Sequence, residues 1–415
     1  MIMSKNYIHA LRLGCLLMGL LIGIASSNAQ EDVFAPPPTN PAPAQQQYGI
    51  RMVPDPSLLF AAPPDSPFRW GDFVLKPHFL YRFLYGDGIQ ATPGRQFTTA
   101  IDSFAPGFRL DMGSQWTIDY TPTWDLYSNS RFHDTLGESV NLTGVVSVED
   151  SLLQFNQSYV YTSQPLVETG RQTSVQNYAT ELDLSHRFSR DFYSETDLSQ
   201  NVRYAVGFPD SKQWSALDWL HYQTTPQFDT AIGAGLGLID VSGGPDIIYL
   251  DPEAQATWAP STKLSIKLSG GLDRREFLVR PRSILDTPIY SLAVQYNPFE
   301  WTGLGFSAGH QVLESFFANE TTKETVWRAN LSQRLLEHYL LTASVGQNYV
   351  DYLLDTTAGT AGRNDRILSC TLRLTWSFLT RGTLAVLYDW NRNSTNASGF
   401  GFSSHQVGLE LAYRY

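Results

Sequence analysis

The stretch at residues 406–415, QVGLELAYRY, alternates strictly between two kinds of side chain. Val407, Leu409, Leu411, Tyr413 and Tyr415 are large and apolar, whereas the residues between them are polar, charged or small. Because successive side chains of a β-strand point to opposite faces of a sheet, this pattern predicts a strand with one apolar and one polar face.

The same period-two pattern recurs along the chain from residue 73 onward. Clear examples are 73–85, 116–127 and 365–378, and turn-forming residues separate such segments. We count eighteen segments in all. The weakest are 213–223 and 247–258, the second because a proline interrupts its pattern.

The connections between these segments alternate in length. Short turns such as Gly113-Ser114 are followed by long stretches such as 86–97 and 274–286. If successive strands run in opposite directions, this alternation places the short turns and both ends of the series of strands on one side of the predicted sheet.

Composition narrows the class of protein. Charged residues make up 17% of the chain and aromatic residues 13%, whereas a typical soluble domain carries about 25% charged residues. The formal net charge is −11, so a nucleic-acid partner held by phosphate neutralisation is not expected.

Residues 1–29 have the pattern of a secretory signal peptide. Lys5 and Arg12 precede an apolar run at 13–24, and Ser27-Asn28-Ala29 supplies the small residues of a cleavage site. A retained membrane anchor is the alternative, but the run is shorter than the roughly 20 residues that a spanning helix needs. Cleavage after Ala29 would leave Cys370 as the only cysteine, and hence no intrachain disulfide.

Residues 30–70 are predicted to form a proline-rich periplasmic spacer. Ten of the 23 prolines of the chain lie between residues 31 and 70. Proline favours extended polyproline II conformation, so this segment is expected to contribute no core. A docking motif for an aromatic-lined groove is the alternative. The folded part is then 71–415.

Closure of the sheet follows from the physics of a lipid environment. Inside hydrocarbon every backbone donor and acceptor must be satisfied by protein, so a spanning sheet must close on itself. The sequence therefore predicts an all-β fold, a transmembrane antiparallel up-and-down β-barrel of about 18 strands, with 16 or 20 as alternatives. The main competitor is a secreted, water-soluble all-β protein whose apolar faces pack inward. The aromatic content, the alternating connections and the terminal aromatic Tyr415 favour the barrel.

The polar face of each predicted strand would line the lumen of such a barrel. Both signs of charge occur at these positions, which favours polar cargo that is uncharged or weakly charged. The candidate lumen-lining residues are Arg109, Asp111, Asp119, Asp125, Glu181, Asp183, Glu195, Asp197, Arg203, Lys263, Lys267, Arg328, Arg334, Arg373, Asp389 and Glu410.

One predicted loop contains a cluster of arginines. Arg274, Arg275, Arg280 and Arg282 are candidates for a constriction inside the lumen or for a contact with lipopolysaccharide or anionic sugars. A surface loop that lies against acidic lipid head groups is the plainer alternative.

Catalytic and metal-binding patterns are weak. The pairs Ser185-His186, His133-Asp134 and Ser404-His405 bring a base next to a hydroxyl or a carboxyl. However, adjacent residues of a strand point to opposite faces, so neither Ser-His pair can serve one site. The eight histidines are scattered, and we predict no catalytic residue, no cofactor and no metal site.

From residue 71 to 415 the chain resembles outer-membrane β-barrel porin-like families of Gram-negative bacteria, some of which are associated with exopolysaccharide export. The export signal, the spacer, the strand array and the closing segment Leu409–Tyr415 carry this resemblance. It implies a bacterial outer-membrane location, with outer-membrane lipids and the barrel assembly machinery as partners.

The same resemblance implies a function without enzymatic activity. That function is a channel for passive passage of small hydrophilic solutes, or for export of polysaccharide, which would then be a further partner. Two alternatives remain at this point. One is a non-conducting structural or surface-binding barrel, and the other is an outer-membrane lipid hydrolase.

Overall fold

The structure, a computed structural model, describes residues 68–278, 283–318, 320–354 and 362–415. The predicted signal peptide and all but the last three residues of the predicted spacer lie outside these ranges, as do Arg280 and Arg282. Within the described ranges, no helix reaches the length and apolarity that a membrane crossing requires.

Antiparallel strands account for most of the described residues. They are β1 (Arg69–Trp70), β2 (Phe73–Thr92), β3 (Arg95–Met112), β4 (Trp116–Tyr127), β5 (Thr135–Val148), β6 (Ser151–Leu166), β7 (Arg171–Arg187), β8 (Phe192–Ala205), β9 (Ser211–Thr225), β10 (Phe228–Val241), β11 (Ile247–Ser261), β12 (Leu264–Phe277), β13 (Ser283–Phe299), β14 (Thr302–Glu314), β15 (Glu320–Leu335), β16 (Tyr339–Leu354), β17 (Asn364–Ser377), β18 (Gly382–Thr395) and β19 (Phe402–Arg414).

Strands β2 to β19 form a closed barrel. Each pairs antiparallel with the next along the chain, and β19 pairs back with β2 through partners such as Leu409 with Phe83 and Tyr413 with Phe79. The two-residue strand β1 adds only a short hairpin to β2. This confirms the predicted fold class and the count of eighteen barrel strands.

The apolar face of each strand points out of the barrel. On β19, Val407 is 53% exposed and Leu409 49%, whereas the intervening Glu410 is 3% exposed. The outward rows continue across neighbouring strands, since Leu409 pairs with Phe83 on one side and Val386 on the other. A water-soluble β protein would bury these side chains, so the lipid-facing alternative is the one that the structure supports.

Two levels of aromatic residues border this apolar surface. On β9, Trp214 and Tyr222 both face outward and lie eight residues apart. At about 3.3 Å per residue and a tilt of about 40°, this corresponds to about 20 Å along the barrel axis. On β8, Phe192 pairs in register with Tyr222, and the outward Tyr204 lies four residues beyond Gln200, the register partner of Trp214. Aromatic belts of this kind mark the two interfaces of a membrane-spanning barrel.

The strands are longer than the sequence pattern predicts. Residues 86–97 and 274–286 were expected to be long loops, but β2 extends to Thr92, β3 begins at Arg95, and β12 and β13 take up most of the second stretch. The prediction of long loops was wrong because hydrogen-bonded pairing continues where apolar alternation ends, as in the pair Ile89 with Phe97.

Both weakly patterned segments form strands. Pro252 lies on the outward face of β11, and the pairing of β11 with β12 passes from Leu250–Arg274 directly to Glu253–Gly271. Proline has no N–H to donate, so the pairing of β11 with β12 is interrupted at this position and continues on both sides of it.

A charge placed on the outward face should destabilise the barrel. Leu409 lies midway along the outward row of β19, so Leu409→Lys is expected to lower the free energy of unfolding by about 2–4 kcal/mol. Ser158→Lys, on the inward face of β6, is the matched control. Urea-induced unfolding in lipid vesicles measures both; equal losses would contradict the assignment of the two faces.

Candidate functional site in the barrel lumen

The lumen is lined by the polar face of the barrel strands. All of the sequence-derived candidates except Lys263 lie on strands, on the face opposite the outward apolar row. Lys263 lies in the turn between β11 and β12, where its Nζ donates to the carbonyl oxygen of Pro298 at 2.8 Å.

One wall of the lumen is acidic. Glu181 and Asp183 on β7 face inward beside Glu195 and Asp197 on β8, and Asp183 pairs in register with Asp197. Asp229, Asp251 and Glu253 on β10 and β11 extend this wall. The lysines and arginines of β7–β11, which are Arg171, Arg187, Arg203 and Lys212, all lie at or within two residues of a strand end.

A buried histidine lies within this acidic wall. The His221 Nδ1 is 2.8 Å from Asp229 Oδ1, and its Nε2 is 3.4 Å from Glu195 Oε2. Its ring stacks on Tyr193 with centroids 4.2 Å apart. Both ring nitrogens of His221 therefore lie beside carboxylates of the acidic wall.

The opposite wall carries cations that are already paired. Arg82 Nη2 lies 2.9 Å from Glu410 Oε2, and Arg373 bonds the other oxygen of the same carboxylate. Lys76 and Arg109 both contact Asp111, at 2.9 and 2.7 Å. The remaining inward candidates are Asp119, Asp125, Lys267, Arg328, Arg334 and Asp389. The carboxylates of β7–β11, of which Glu195 and Asp229 contact His221, therefore give one wall of the lumen a negative field.

Loops from opposite sides of the barrel meet at the end away from the short turns, which we call the mouth. The β6–β7 loop at 167–170 contacts the β14–β15 loop at 315–318, eight strands away around the barrel. The Oε1 of Glu168 accepts hydrogen bonds from Ser315 Oγ at 2.7 Å and from the Phe316 N–H at 2.6 Å.

Two arginines strengthen this contact. Arg363, directly before β17, donates from Nη1 to the Glu168 carbonyl oxygen at 2.7 Å. Arg203 on β8 donates from Nη2 to the Ser315 carbonyl oxygen at 2.7 Å and lies 4.1 Å from the Phe316 ring centroid. Removal of the Glu168 carboxyl from water raises its pKa, although these partners act in the opposite direction.

A further contact at the mouth joins the β2–β3 and β18–β19 loops. The Gly94 N–H donates to the Gly399 carbonyl oxygen at 2.5 Å. Gly170 has φ +64, and a Cβ there would lie 3.4 Å from both Phe400 and Pro93. The β6–β7 loop thus reaches the β18–β19 loop as well, and the mouth is bridged from several sides.

A cavity with both polar and apolar walls lies inside the barrel below these loops. Its lining includes Arg82, Asp125, Tyr127, Gln164 and Ser404. Asp125 accepts a hydrogen bond from Ser103 Oγ at 2.5 Å and from Gln164 Nε2 at 3.4 Å. Since β2 also contacts β6 and β7, the lumen narrows on this side of the mouth.

The arginine cluster is divided between two environments. Arg275 faces inward and is buried; its Nε lies 3.0 Å from Asp273 Oδ1 and its Nη2 donates to the Val312 carbonyl oxygen at 2.6 Å. Arg274 faces outward, half-exposed, with Nε 3.9 Å from Asp286 Oδ1. Arg280 and Arg282 lie outside the described residues.

The histidine pairs do not form a catalytic arrangement. His186 faces outward and its Nδ1 lies 2.8 Å from Ser151 Oγ, while Ser185 faces inward. His405 faces outward beside the Tyr388 hydroxyl, 2.9 Å away, and Ser404 faces inward. Asp134 accepts the backbone N–H of Tyr127. In the part of the chain that the structure describes, no group of three or more His, Cys, Asp or Glu could hold a metal ion.

Sequence reasoning missed Glu168, Ser315, Phe316 and Arg363. They lie in segments without alternation, and their contacts join residues 147 to 195 positions apart. No local pattern marks such pairs.

No family model matches the sequence, and no curated protein matches it either. Comparison with solved structures finds similar folds in proteins of two bacteria. OccK2 (OpdF) of Pseudomonas aeruginosa is 11% identical with a TM-score of 0.46, covering 82% of this chain and 98% of its own. The outer-membrane protein OpdK of the same organism is 12% identical with a TM-score of 0.44, covering 82% and 98%.

OccAB4 of Acinetobacter baumannii is 11% identical with a TM-score of 0.44, covering 84% of this chain and 100% of its own. The assignment of the barrel rests on its closed strand register and not on these similarities. That register gives the chain the porin-like architecture that the sequence resemblance implied.

The contact at the mouth should depend on pH through Glu168. Because its pKa is raised when the loops are in contact, the protonated carboxyl favours contact. The stabilisation is complete below the ordinary pKa of glutamate, about 4.3, and is lost as pH rises through the raised value. In a conducting barrel, the closed fraction should therefore be larger at about pH 4 than at about pH 7.

Single-channel recording at the two pH values measures this effect. Glu168→Gln keeps an acceptor oxygen for Ser315 and Phe316 but cannot titrate, so it should remove the pH dependence. Glu138→Gln, at an outward position of β5, is the control. A pH dependence that persists unchanged in Glu168→Gln would contradict the role of this carboxyl.

Proposed function

We propose that this protein is an outer-membrane channel for passive diffusion of small hydrophilic solutes, with a preference for cations. The observation that carries the proposal is the combination of a closed eighteen-strand barrel with a polar interior. Thr143, Ser158 and Ser199 face inward from neighbouring parts of the wall and stay partly or fully exposed. A barrel of this strand number is wide enough for an aqueous channel.

The distribution of charge supports the cation preference. The carboxylates of Glu181, Asp183, Glu195 and Asp197 share one wall, whereas Arg82 and Arg373 opposite them contact Glu410 and Arg109 contacts Asp111. A lumen lined by one sign of unpaired charge raises the local concentration of the opposite ion. The preference should be moderate, because His221 and Lys267 lie on or beside the acidic wall.

The loops at the mouth limit the size of the solute. The contacts of Glu168, Arg203 and Arg363 join opposite sides of the opening. A polymer would have to displace these loops along its whole passage, which works against polysaccharide export. The proposal is therefore limited to small solutes.

A non-conducting barrel is the second candidate, and the same loop contacts favour it. If the loops never separate, the lumen is sealed at one end and the barrel serves as a structural or surface-binding protein. Conductance measurements separate the two functions directly.

Planar-bilayer recording in a KCl gradient tests the channel. We expect discrete conductance steps and a reversal potential that indicates preference for K⁺. Asp183→Asn with Asp197→Asn should reduce this preference, because it removes two acidic groups from the lumen. Glu149→Gln with Asp150→Asn removes the same charge from the exposed β5–β6 turn and should have a smaller effect.

Two outcomes would contradict the proposal. Absence of any conductance step from correctly folded protein would favour the sealed barrel. Conductance with preference for Cl⁻ would refute the role of the acidic wall. Release of fatty acid from phospholipid by the purified protein would instead support the lipid-hydrolase alternative.

A further inference from the structure

The outward face of β6–β10 differs from most of the barrel exterior. Between the aromatic belts, strands such as β19 present residues like Val407, Leu409 and Leu411 to the lipid. Strands β6–β10 instead carry amide, hydroxyl and carboxylate side chains among their outward residues. These are Gln157, Thr180, Ser194, Thr196, Gln200, Asp218 and Thr230.

Asp218 is the most costly member of this set. Its register partners Thr196 and Ala234 belong to outward rows, and Ile232 and Leu236 on either side of Ala234 are 68% and 58% exposed. Asp218 is itself exposed and lies midway between the belt residues Trp214 and Tyr222. A carboxylate on the lipid face at mid-depth is destabilising unless it meets a polar partner.

The chain supplies one such partner. The Thr196 hydroxyl donates a hydrogen bond to Asp218 Oδ1. Similarly, the Thr180 hydroxyl donates to Gln157 Oε1 at 2.6 Å. The second carboxylate oxygen, Oδ2, remains available as an acceptor on the outward side. The face thus presents both donors and acceptors at a depth where lipid offers neither.

Small residues lie next to this polar set. Ala216, Ala234, Ala254 and Gly270 face outward on β9–β12, and Ala254 pairs in register with Gly270. Small side chains make the surface shallow there. Within membranes such surfaces let the backbone of another protein approach closely.

We propose that this outward face of β6–β10, together with the small residues beside it, is an interface with a second copy of this chain. The two copies would be related by a two-fold axis along the membrane normal. In such a contact the same surface lies on both sides, so side-chain donors beside Asp218 other than Thr196, such as the Ser194 hydroxyl and the Gln200 amide, can reach the Oδ2 of the other copy.

The alternative arrangement, a head-to-tail ring, does not satisfy the carboxylate. It would place Asp218 against a different part of the barrel exterior. The described outward lysines and arginines of the barrel strands all lie within four residues of the mouth end of their strands, away from the mid-strand position of Asp218, so no ion pair could form there; they are Lys212, Arg274, Lys323, Arg366 and Arg392. The self-complementary contact is therefore the one that the positions of the polar groups favour.

Cysteine cross-linking in isolated outer membranes tests this interface. In a Cys370→Ser background, Ala216→Cys places a thiol one outward position from Asp218, near the proposed axis. A bifunctional maleimide should then produce covalent dimers from this single cysteine. Ala343→Cys, outward on β16 between Tyr339 and Tyr349, is the control and should remain monomeric.

Asp218→Leu separates an interface from a lipid-facing surface. At an interface, it should reduce the cross-linking of Ala216→Cys to the level of Ala343→Cys. On a lipid-facing surface, it should leave the protein monomeric and raise its melting temperature. The proposal is overturned if Ala216→Cys forms no dimer although its thiol reacts with a monofunctional maleimide, or if it is cross-linked only to a different protein. Cross-linking and melting temperature are both measured without conductance, so failure of this proposal can be told apart from failure of the channel proposal.

Discussion

The structure depends on the need to satisfy every backbone N–H and C=O group inside hydrocarbon. The pairing of β19 with β2 meets this need, because without it both strands would expose an unpaired edge to lipid. Ten residues of β19 pair in register along this seam, from His405 to Arg414. Inside the lumen the seam is reinforced, since Glu410 receives Arg82 from β2 and Arg373 from β17.

Closure also determines which side chains reach the lumen. Once the apolar face of a strand is turned to lipid, each intervening residue must face inward, whatever its charge. The molecule handles inward charge in two ways. Near the seam, buried cations and carboxylates pair, as a buried charge requires. Along β7–β11, carboxylates lie beside one another, and two of them, Glu195 and Asp229, contact His221. That difference is the basis of the proposed preference of the channel for cations.

Local pattern was sufficient to predict the barrel but not the arrangement at its mouth. Period-two alternation is a property of consecutive residues, so 406–415 and its seventeen counterparts could be recognised one at a time. Strand ends were less accurate, because pairing continues past the membrane in hairpins such as that between Thr92 and Arg95. Lys263 was assigned to the lumen as the second residue of a strand predicted at 262–273, whereas β12 begins at Leu264. The contact of Glu168 with Ser315 joins two hairpins from opposite sides, and neither hairpin has a pattern that indicates the other.

The mouth contact and the lipid-facing carboxylate are both departures from the simplest barrel. A hydrogen bond to a charged group contributes about 1.5–3 kcal/mol net. The few bonds made by Glu168, Arg203 and Arg363 can therefore hold the loops together without making the closed mouth permanent. Asp218 is a different case, because no rearrangement of loops can hydrate a group at mid-depth. Its stabilisation must come from within the membrane, and the chain itself provides only Thr196. A contact that can open suits the gate of a channel. A carboxylate at mid-depth with a single hydrogen-bond donor from its own chain instead suits a lasting contact with a second copy.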